Sequence, residues 1–271
     1  MGLIKPCGLK LNFYKYHGTG NDFILIDNRE AFFSPDIKVI SGMCDRRFGI
    51  GADGLILLNT KQGYDFHMQY FNSDGRESTM CGNGGRCIIA FADFLSLING
   101  KTSFIGPDGE HTGMISSKNN NEYQVKLSLR DVEEIQLRGN DYVINTGSPH
   151  LVRFVPEVSD FNVVEEGRRL RNHHDFQPDG INVNFIMALD GRLHVRTYER
   201  GVEDETLSCG TGVTASALAY AHLNDLQEGP VSIITRGGNL QLHFKKTVRG
   251  FSDIFLEGPA VRVYGGIMNN E

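Results

Sequence analysis

Short apolar runs bounded by turn-forming residues recur along the whole chain, and few stretches have the length of a helix. Phe23–Asp27 (FILID), Leu55–Leu58 (LILL), Phe66–Phe71 (FHMQYF) and Val125–Leu129 (VKLSL) are rich in apolar, β-branched or aromatic residues, which predicts strands. Tyr142–Asn145, Val152–Val155, Ile181–Met187, Leu193–Thr197, Val231–Thr235, Leu240–Phe244 and Ile254–Leu256 read the same way. Two segments of small and apolar residues predict helices instead. One runs from Asn83 to about Leu97 (NGGRCIIAFADFLSL), the other from Thr211 to about Asn224 (TGVTASALAYAHLN).

The two helices begin alike. Cys81-Gly82-Asn83-Gly84 opens the first and Cys209-Gly210-Thr211-Gly212 the second, preceded by GRESTM and EDETLS. A C-G-[NT]-G string repeated about half a chain apart predicts two similar domains related by pseudo-symmetry. The charged stretch Asp131–Gly139 is the expected join. That gives domains of 1–130 and 131–260, with 261–271 free to return to the first.

Composition narrows the function. A chain of 271 residues, 40% hydrophobic, can build a proper core in one large domain or two ordinary ones. A net charge of −6 leaves no basic footprint for nucleic acid, and no apolar run approaches the ~20 residues of a membrane helix. The start, MGLIKPCGLKLNFYKYHG, has no sustained apolar core of a signal peptide, so a cytoplasmic protein is expected. The five cysteines, Cys7, Cys44, Cys81, Cys87 and Cys209, are odd in number and irregularly spaced, against a disulfide framework. Each would ordinarily be a small buried hydrophobe. Cys81 and Cys209 differ by their place at a helix start.

There the first-turn N–H groups lack helical partners, and the positive end of the helix dipole favours an anion. Such surroundings predict a thiol pKa below its usual ~8.5. The glycines that follow let backbone amides approach a ligand closely. Two such helix starts facing each other would hold a carboxylate with one thiol on each side of the adjacent carbon. Inverting an α-carbon needs that arrangement, a base on one face and an acid on the other, with amides to stabilise the developing charge. No electron-sink cofactor is required.

Other motifs compete. Gly49-Ile50-Gly51-Ala52-Asp53-Gly54 matches the dinucleotide string G-x-G-x-x-G but runs into a strand rather than a helix, so it is not read as a nucleotide site. Cys81 and Cys87 lack zinc-knuckle spacing. His173-His174 reads as a solvated turn, because successive residues do not share a face. No metal is expected.

At these motifs the chain resembles the diaminopimelate epimerases over nearly its whole length. The carrying segments are KYHGTGNDFILID (Lys15–Asp27), RFGIGADGLILL (Arg47–Leu58), FNSDGRESTMCGNGGRC (Phe71–Cys87), NTGSPHLV (Asn145–Val152), GINVNF (Gly180–Phe185) and YERGVEDETLSCGTG (Tyr198–Gly212). The resemblance implies an α+β fold of two pseudo-symmetric domains, each a mostly antiparallel sheet wrapped around a central helix, with the site in the cleft between them. It implies that Cys81 and Cys209 are the acid/base pair, supported by His150 and Glu199. Gly82, Asn83, Gly210 and Thr211 would supply amides to the reacting carboxylate. Asn21, Asn72, Asn182, Glu199 and Arg200 would contact the substrate, an amino acid. A homodimer is also implied.

Three departures stand out. Gly54 lies where similar enzymes often have glutamine, Ser148 where they often have asparagine, and Val202–Ser208 is one residue longer than in many relatives. The leading expectation is conversion of LL- to meso-diaminopimelate, for lysine and cell-wall precursor synthesis. The nearest alternative is a proline- or histidine-racemase-like enzyme of the same architecture. A thiol redox or zinc module is the more distant one.

Overall fold

The structure is a computed structural model that describes residues 10–269; Cys7 lies outside the described residues. The first half of the chain runs β1 (Lys10–Gly18), β2 (Asn21–Asp27), α1 (Ile37–Cys44), β3 (Gly54–Asn59), β4 (Phe66–Asn72), α2 (Gly82–Phe94), β5 (Lys101–Gly106), β6 (Gly109–Asn119) and β7 (Glu122–Ser128). The second runs β8 (Ile135–Arg138), β9 (Asp141–Asn145), β10 (Pro149–Phe154), α3 (Val163–Arg171), β11 (Asn182–Leu189), β12 (Arg192–Glu199), β13 (Asp204–Thr206) and α4 (Gly210–Leu223). It ends with β14 (Val231–Thr235), β15 (Gly238–Lys246) and β16 (Phe251–Asn269).

The same strand–helix order occurs twice. β2 pairs in parallel with β3 across α1, and β4 with β5 across α2. In the second half β10 pairs in parallel with β11 across α3, and β12 with β14 across α4. All other strand pairs are antiparallel. β16 belongs to both halves. Its start pairs with β15, Gly258–Val261 pair with β7, and its end pairs with β1, closing the first sheet into a barrel around α2.

Burial follows from this layering. In β2, Phe23 and Leu25 face the core around α2, while Ile24 and Ile26 face a second core under α1. A strand covered on both faces reads as a continuous apolar run, as FILID does. β11 divides likewise: Val183 and Phe185 pack under α3, and Ile186 packs towards α4. α4 is buried almost all round, and its hydroxyls are satisfied within the helix, Thr214 Oγ1 to Gly210 O at 2.9 Å and Ser216 Oγ to Gly212 O at 2.7 Å.

Both expected helices form, each starting one residue early. The first ends at Phe94, because Ser96 turns left-handed at φ 57°. The expected strands are present, but Ile254–Leu256 is only a fragment of the 19-residue β16. The Asp131–Gly139 stretch contains β8. No helix among the described residues is long and apolar enough to cross a membrane.

Candidate active site

α2 and α4 meet end to end. A Cβ built on Gly210 would lie 3.3 Å from Gly82 Cα, and one on Gly82 would lie 3.6 Å from Gly210 Cα. Cys81 and Cys209 are the residues immediately before these helices, with nearly equal extended backbones (φ −115°, ψ 119° and φ −111°, ψ 112°). Neither side chain caps its own helix. The first-turn amides of both helices are therefore left for a ligand, and an anion between them would meet two positive helix ends.

On the first side, the Cys81 thiol donates to Asn21 Oδ1 at 3.6 Å. Asn21 is held from behind, since its Nδ2 donates to Asp53 Oδ2 at 2.7 Å and Asp53 pairs with Arg46 at 2.6 Å. The G-x-G-x-x-G string thus leads into β3 and places a carboxylate behind Asn21. Asn83 Nδ2 donates to Asn21 Oδ1 at 3.3 Å and to Ser208 O at 3.1 Å, tying the two halves together. Beneath it, Arg86 is fully buried and donates to Asn83 Oδ1 at 2.8 Å and to Gly82 O at 3.3 Å. No carboxylate pairs with Arg86 among the described residues. Burial pulls its pKa down to about 10, so it stays a cation at neutral pH, one helical turn below Cys81.

The second side is built differently. Cys209 Sγ lies 3.5 Å from Thr211 Oγ1, which lies 2.9 Å from Nε2 of the fully buried His150. Ser148 Oγ is 3.0 Å from the same Nε2 and accepts from Asn182 Nδ2 at 3.2 Å. Ser148 therefore joins the same hydrogen-bonded cluster despite its shorter side chain. Burial, with the charge of Arg200, lowers the His150 pKa to about 3, so the ring is neutral at working pH.

The thiols differ from the sequence expectation. Burial pushes both upward, and the charge of Glu199 pushes each the same way. The amides of Gly84 and Asn83 at Cys81, and the Thr211 hydroxyl and Gly212 amide at Cys209, pull downward but do not win. Helix ends favour a thiolate, yet desolvating the charge in a closed site outweighs them. Burial raises the Glu199 carboxyl as well.

The remaining expected residues lie along the same edge of the two sheets. β11 and β12 bring Asn182 beside Glu199 and Arg200, and the Arg200 amide donates to Asn182 Oδ1 at 2.9 Å. The Arg200 guanidinium makes one contact, Nη1 to Gly180 O at 3.3 Å, and no carboxylate pairs with it among the described residues. In the first half Asn72, exposed at the end of β4, lies opposite Gly54. A Cβ on Gly54 would lie 2.6 Å from the Tyr70 ring and 2.4 Å from Phe71 O. Tyr70 thus fills the space that a side chain at position 54 would need.

Asp53, Arg46, Arg86 and Tyr70 were not singled out by sequence reasoning, although Asp53 and Arg86 lie inside the quoted motifs and Arg46 and Tyr70 next to them. Cys44 and Cys87 are buried in the cores, as small apolar residues should be. His173 and His174 lie on a surface 3-10 turn as expected, but their rings do come together, 4.2 Å apart and tilted by 40°. Asp175 lies 3.5 Å and 2.9 Å from them, in a group with metal-ligand spacing on the surface.

Residues 13–128 and 142–263 match the family model described as diaminopimelate epimerase. The diaminopimelate epimerase of Flavobacterium psychrophilum is 48% identical over 256 residues, covering 94% of this chain and 98% of that protein. That of Chlorobaculum tepidum is 40% identical over 262 residues, covering 92% and 98%. Among solved structures, a phenazine biosynthesis protein of the PhzF family from Bacillus anthracis superposes with a TM-score of 0.77 at 15% identity, covering 96% of this chain and 99% of that one. A hydroxyproline epimerase from Agrobacterium vitis does so with a TM-score of 0.68 at 13% identity, covering 97% and 93%. At such identities these two structures speak to the fold alone.

Proposed function

The chain belongs to the diaminopimelate epimerase family, and on that premise we propose that Cys81 and Cys209 invert one α-carbon of diaminopimelate between them. The enzyme is an isomerase that converts LL- to meso-2,6-diaminopimelate, a step towards lysine. The observation that carries the mechanism is the pair of facing helix ends, each preceded by a cysteine. The reacting carboxylate sits between the amides of Gly82-Asn83 and Gly210-Thr211. One sulfur, as thiolate, takes the α-proton, the amides hold the charge that develops on the carboxylate, and the opposite thiol returns a proton to the other face.

Burial favours the protonated form of both sulfurs, so one must give up its proton first. Glu199 is suited to receive it. Its carboxyl is raised by burial, and a thiol with a carboxylate carries the same net charge as a thiolate with a carboxylic acid. His150, neutral, supports Cys209 through Thr211. Residues 1–130 and 131–260 then act as two domains, one per thiol, with β16 crossing back to the first from Gly258 onward. The cytoplasm and a homodimer complete the proposal. Val263, Tyr264 and Ile267 are exposed apolar side chains on β16, and burying them against a second copy would favour a dimer.

Arg200 distinguishes diaminopimelate from short amino acids. Its guanidinium fork, with no carboxylate paired to it among the described residues, suits the distal carboxylate, and Asn182 lies beside it. Arg200→Lys keeps the charge but loses the fork, and kcat/KM for diaminopimelate should fall by about tenfold or more, ~1.4 kcal/mol. Wild-type and variant enzymes would each be offered LL-diaminopimelate, proline and histidine, with chiral chromatography of the products. Unchanged turnover in the variant, or a wild-type preference for proline or histidine, would overturn the substrate assignment.

A further inference from the structure

Asn184 lies two residues beyond Asn182 on β11, so both side chains emerge on the same face of the strand. It is fully buried where Ile186 next along that face packs into the apolar core around α4. A buried amide needs partners, and the orientation of this one is determined by them. Its Nδ2 donates to Leu151 O at 3.1 Å, a carbonyl that can only accept, and its Oδ1 accepts from Thr197 Oγ1 at 2.9 Å. The same Nδ2 points at His150 Nδ1, 3.2 Å away.

From this geometry we infer that Asn184 is a positioning residue: it fixes the His150 tautomer so that the Thr211 hydroxyl gives its hydrogen to Cys209. The inference rests on the acid/base role proposed for Cys209. An N–H aimed at Nδ1 requires that nitrogen to be bare, and a neutral ring then carries its proton on Nε2. Nε2–H donates to Thr211 Oγ1 at 2.9 Å or to Ser148 Oγ at 3.0 Å, and in either case takes no hydrogen from them. The Thr211 hydrogen is thereby left for Cys209 Sγ or Ser148 Oγ, each at 3.5 Å, and a thiolate at Cys209, being the stronger acceptor, draws it and is stabilised by it. The opposite side ends with the reverse polarity, since Asn21 Oδ1 can only accept and suits Cys81 as a thiol. The charged and titratable groups facing Cys209 from neighbouring elements are Glu199 and Cys81, and Arg200 faces His150.

The fit is close. A Cβ on Gly212 would lie 2.3 Å from Asn184 Oδ1 and 3.3 Å from His150 Nδ1. A glycine as the fourth residue of the second C-G-x-G string lets this polar pair reach the helix start. The corresponding Gly84 meets only apolar atoms of Ile56 and Met68 and the Cβ of Cys81.

Two measurements test the inference on the whole enzyme. Nitrogen-15 spectra of histidine-labelled protein, with the His150 signals assigned by their loss in His150→Gln, should show protonated Nε2 and bare Nδ1. A ring protonated at Nδ1 would overturn it. Alkylation by iodoacetamide, followed by peptide mapping of Cys209 and Cys81 across pH, supplies the second. Thr211→Val should slow Cys209 by ~10-fold at neutral pH, one pKa unit, and Thr211→Ser should restore it. Asn184→Ala should slow Cys209 in the same direction and add little to Thr211→Val, because both act through one chain of hydrogen bonds. Cys81 should be unaffected throughout. Equal alkylation of Cys209 in wild type and Asn184→Ala would contradict the inference, with the acid/base assignment left standing. A Cys209→Ala enzyme that still epimerises would sink that assignment instead, while the tautomer could remain as described.

Discussion

Cys81→Ala and Cys209→Ala are each expected to lower epimerisation in both directions by at least ~10²–10⁴-fold, the usual worth of one general acid or base. Each thiol serves one face of the α-carbon, so the same residue that is the base in one direction is the acid in the other. Loss of either sulfur therefore stops both directions. The fold should survive, because neither side chain caps its helix or is tied to the core by a hydrogen bond of structural weight. Circular dichroism and denaturant midpoints near wild type would establish that the loss is chemical. A folded single mutant with more than a small fraction of wild-type turnover would remove the two-base mechanism.

Gly212→Ala should be damaging in a different way. The added Cβ would lie 2.3 Å from Asn184 Oδ1, so the amide must move away from His150. Overpacking costs about 1–3 kcal/mol, and each buried polar group left unpaired costs about as much again. A loss of roughly 2–5 kcal/mol is a large share of ordinary domain stability. Activity should fall with it, since the group supporting Cys209 is displaced. Gly84→Ala, its counterpart in the first half, is the control. There the nearest atoms are Ile56 Cδ1 at 3.0 Å and Met68 Cε at 3.3 Å, the ends of adaptable side chains. Helix propensity favours alanine over glycine by about 1 kcal/mol, so this variant should stay near wild-type stability. Urea midpoints decide the matter: equal midpoints for the two variants would mean that the Asn184–His150 contact is not rigid.

Much of the fold was legible from local pattern. FILID and LILL, apolar without a break, read as strands because both faces are covered, and the two C-G-x-G strings marked the start of each central helix. Other elements gave weak signals. β1, KLNFYKYHG, carries a lysine and a histidine among its aromatics, and Lys15 is buried there because Asp22 pairs with it at 2.6 Å and Gly51 O accepts from its ammonium. α1 and α3 are short and each holds a glycine, so their helical period is faint. The length of β16 could not be read from Ile254–Leu256, since its extension beyond the hairpin with β15 depends on β7 and β1, two partner strands that are distant in sequence.

The site was legible in its residue types but not in its energetics. Helix position predicted lowered thiol pKa values, and only the closed three-dimensional site shows that burial outweighs the amides. Asn184 was visible in GINVNF, and its period-two spacing from Asn182 was a usable sign that the two share a face. What it touches depends on strand register, with Asn184 opposite Thr197 and beside Val152. The filling of the Gly54 space by Tyr70 was equally hidden, because Tyr70 sits on the adjacent strand, β4.

The two-thiol inversion is tested most directly by the fate of the α-proton in heavy water. A thiol on the far face that has exchanged with solvent delivers deuterium to the product, while the proton removed from the substrate leaves on the other sulfur. Early in the reaction from LL-diaminopimelate, mass spectrometry of chirally separated samples should find one deuterium at the inverted carbon of the meso product. Recovered LL substrate should carry little. Deuterium appearing in recovered substrate as early and as fully as in product would mean that one base serves both faces, and would contradict the assignment of Cys81 and Cys209 as opposed acid and base.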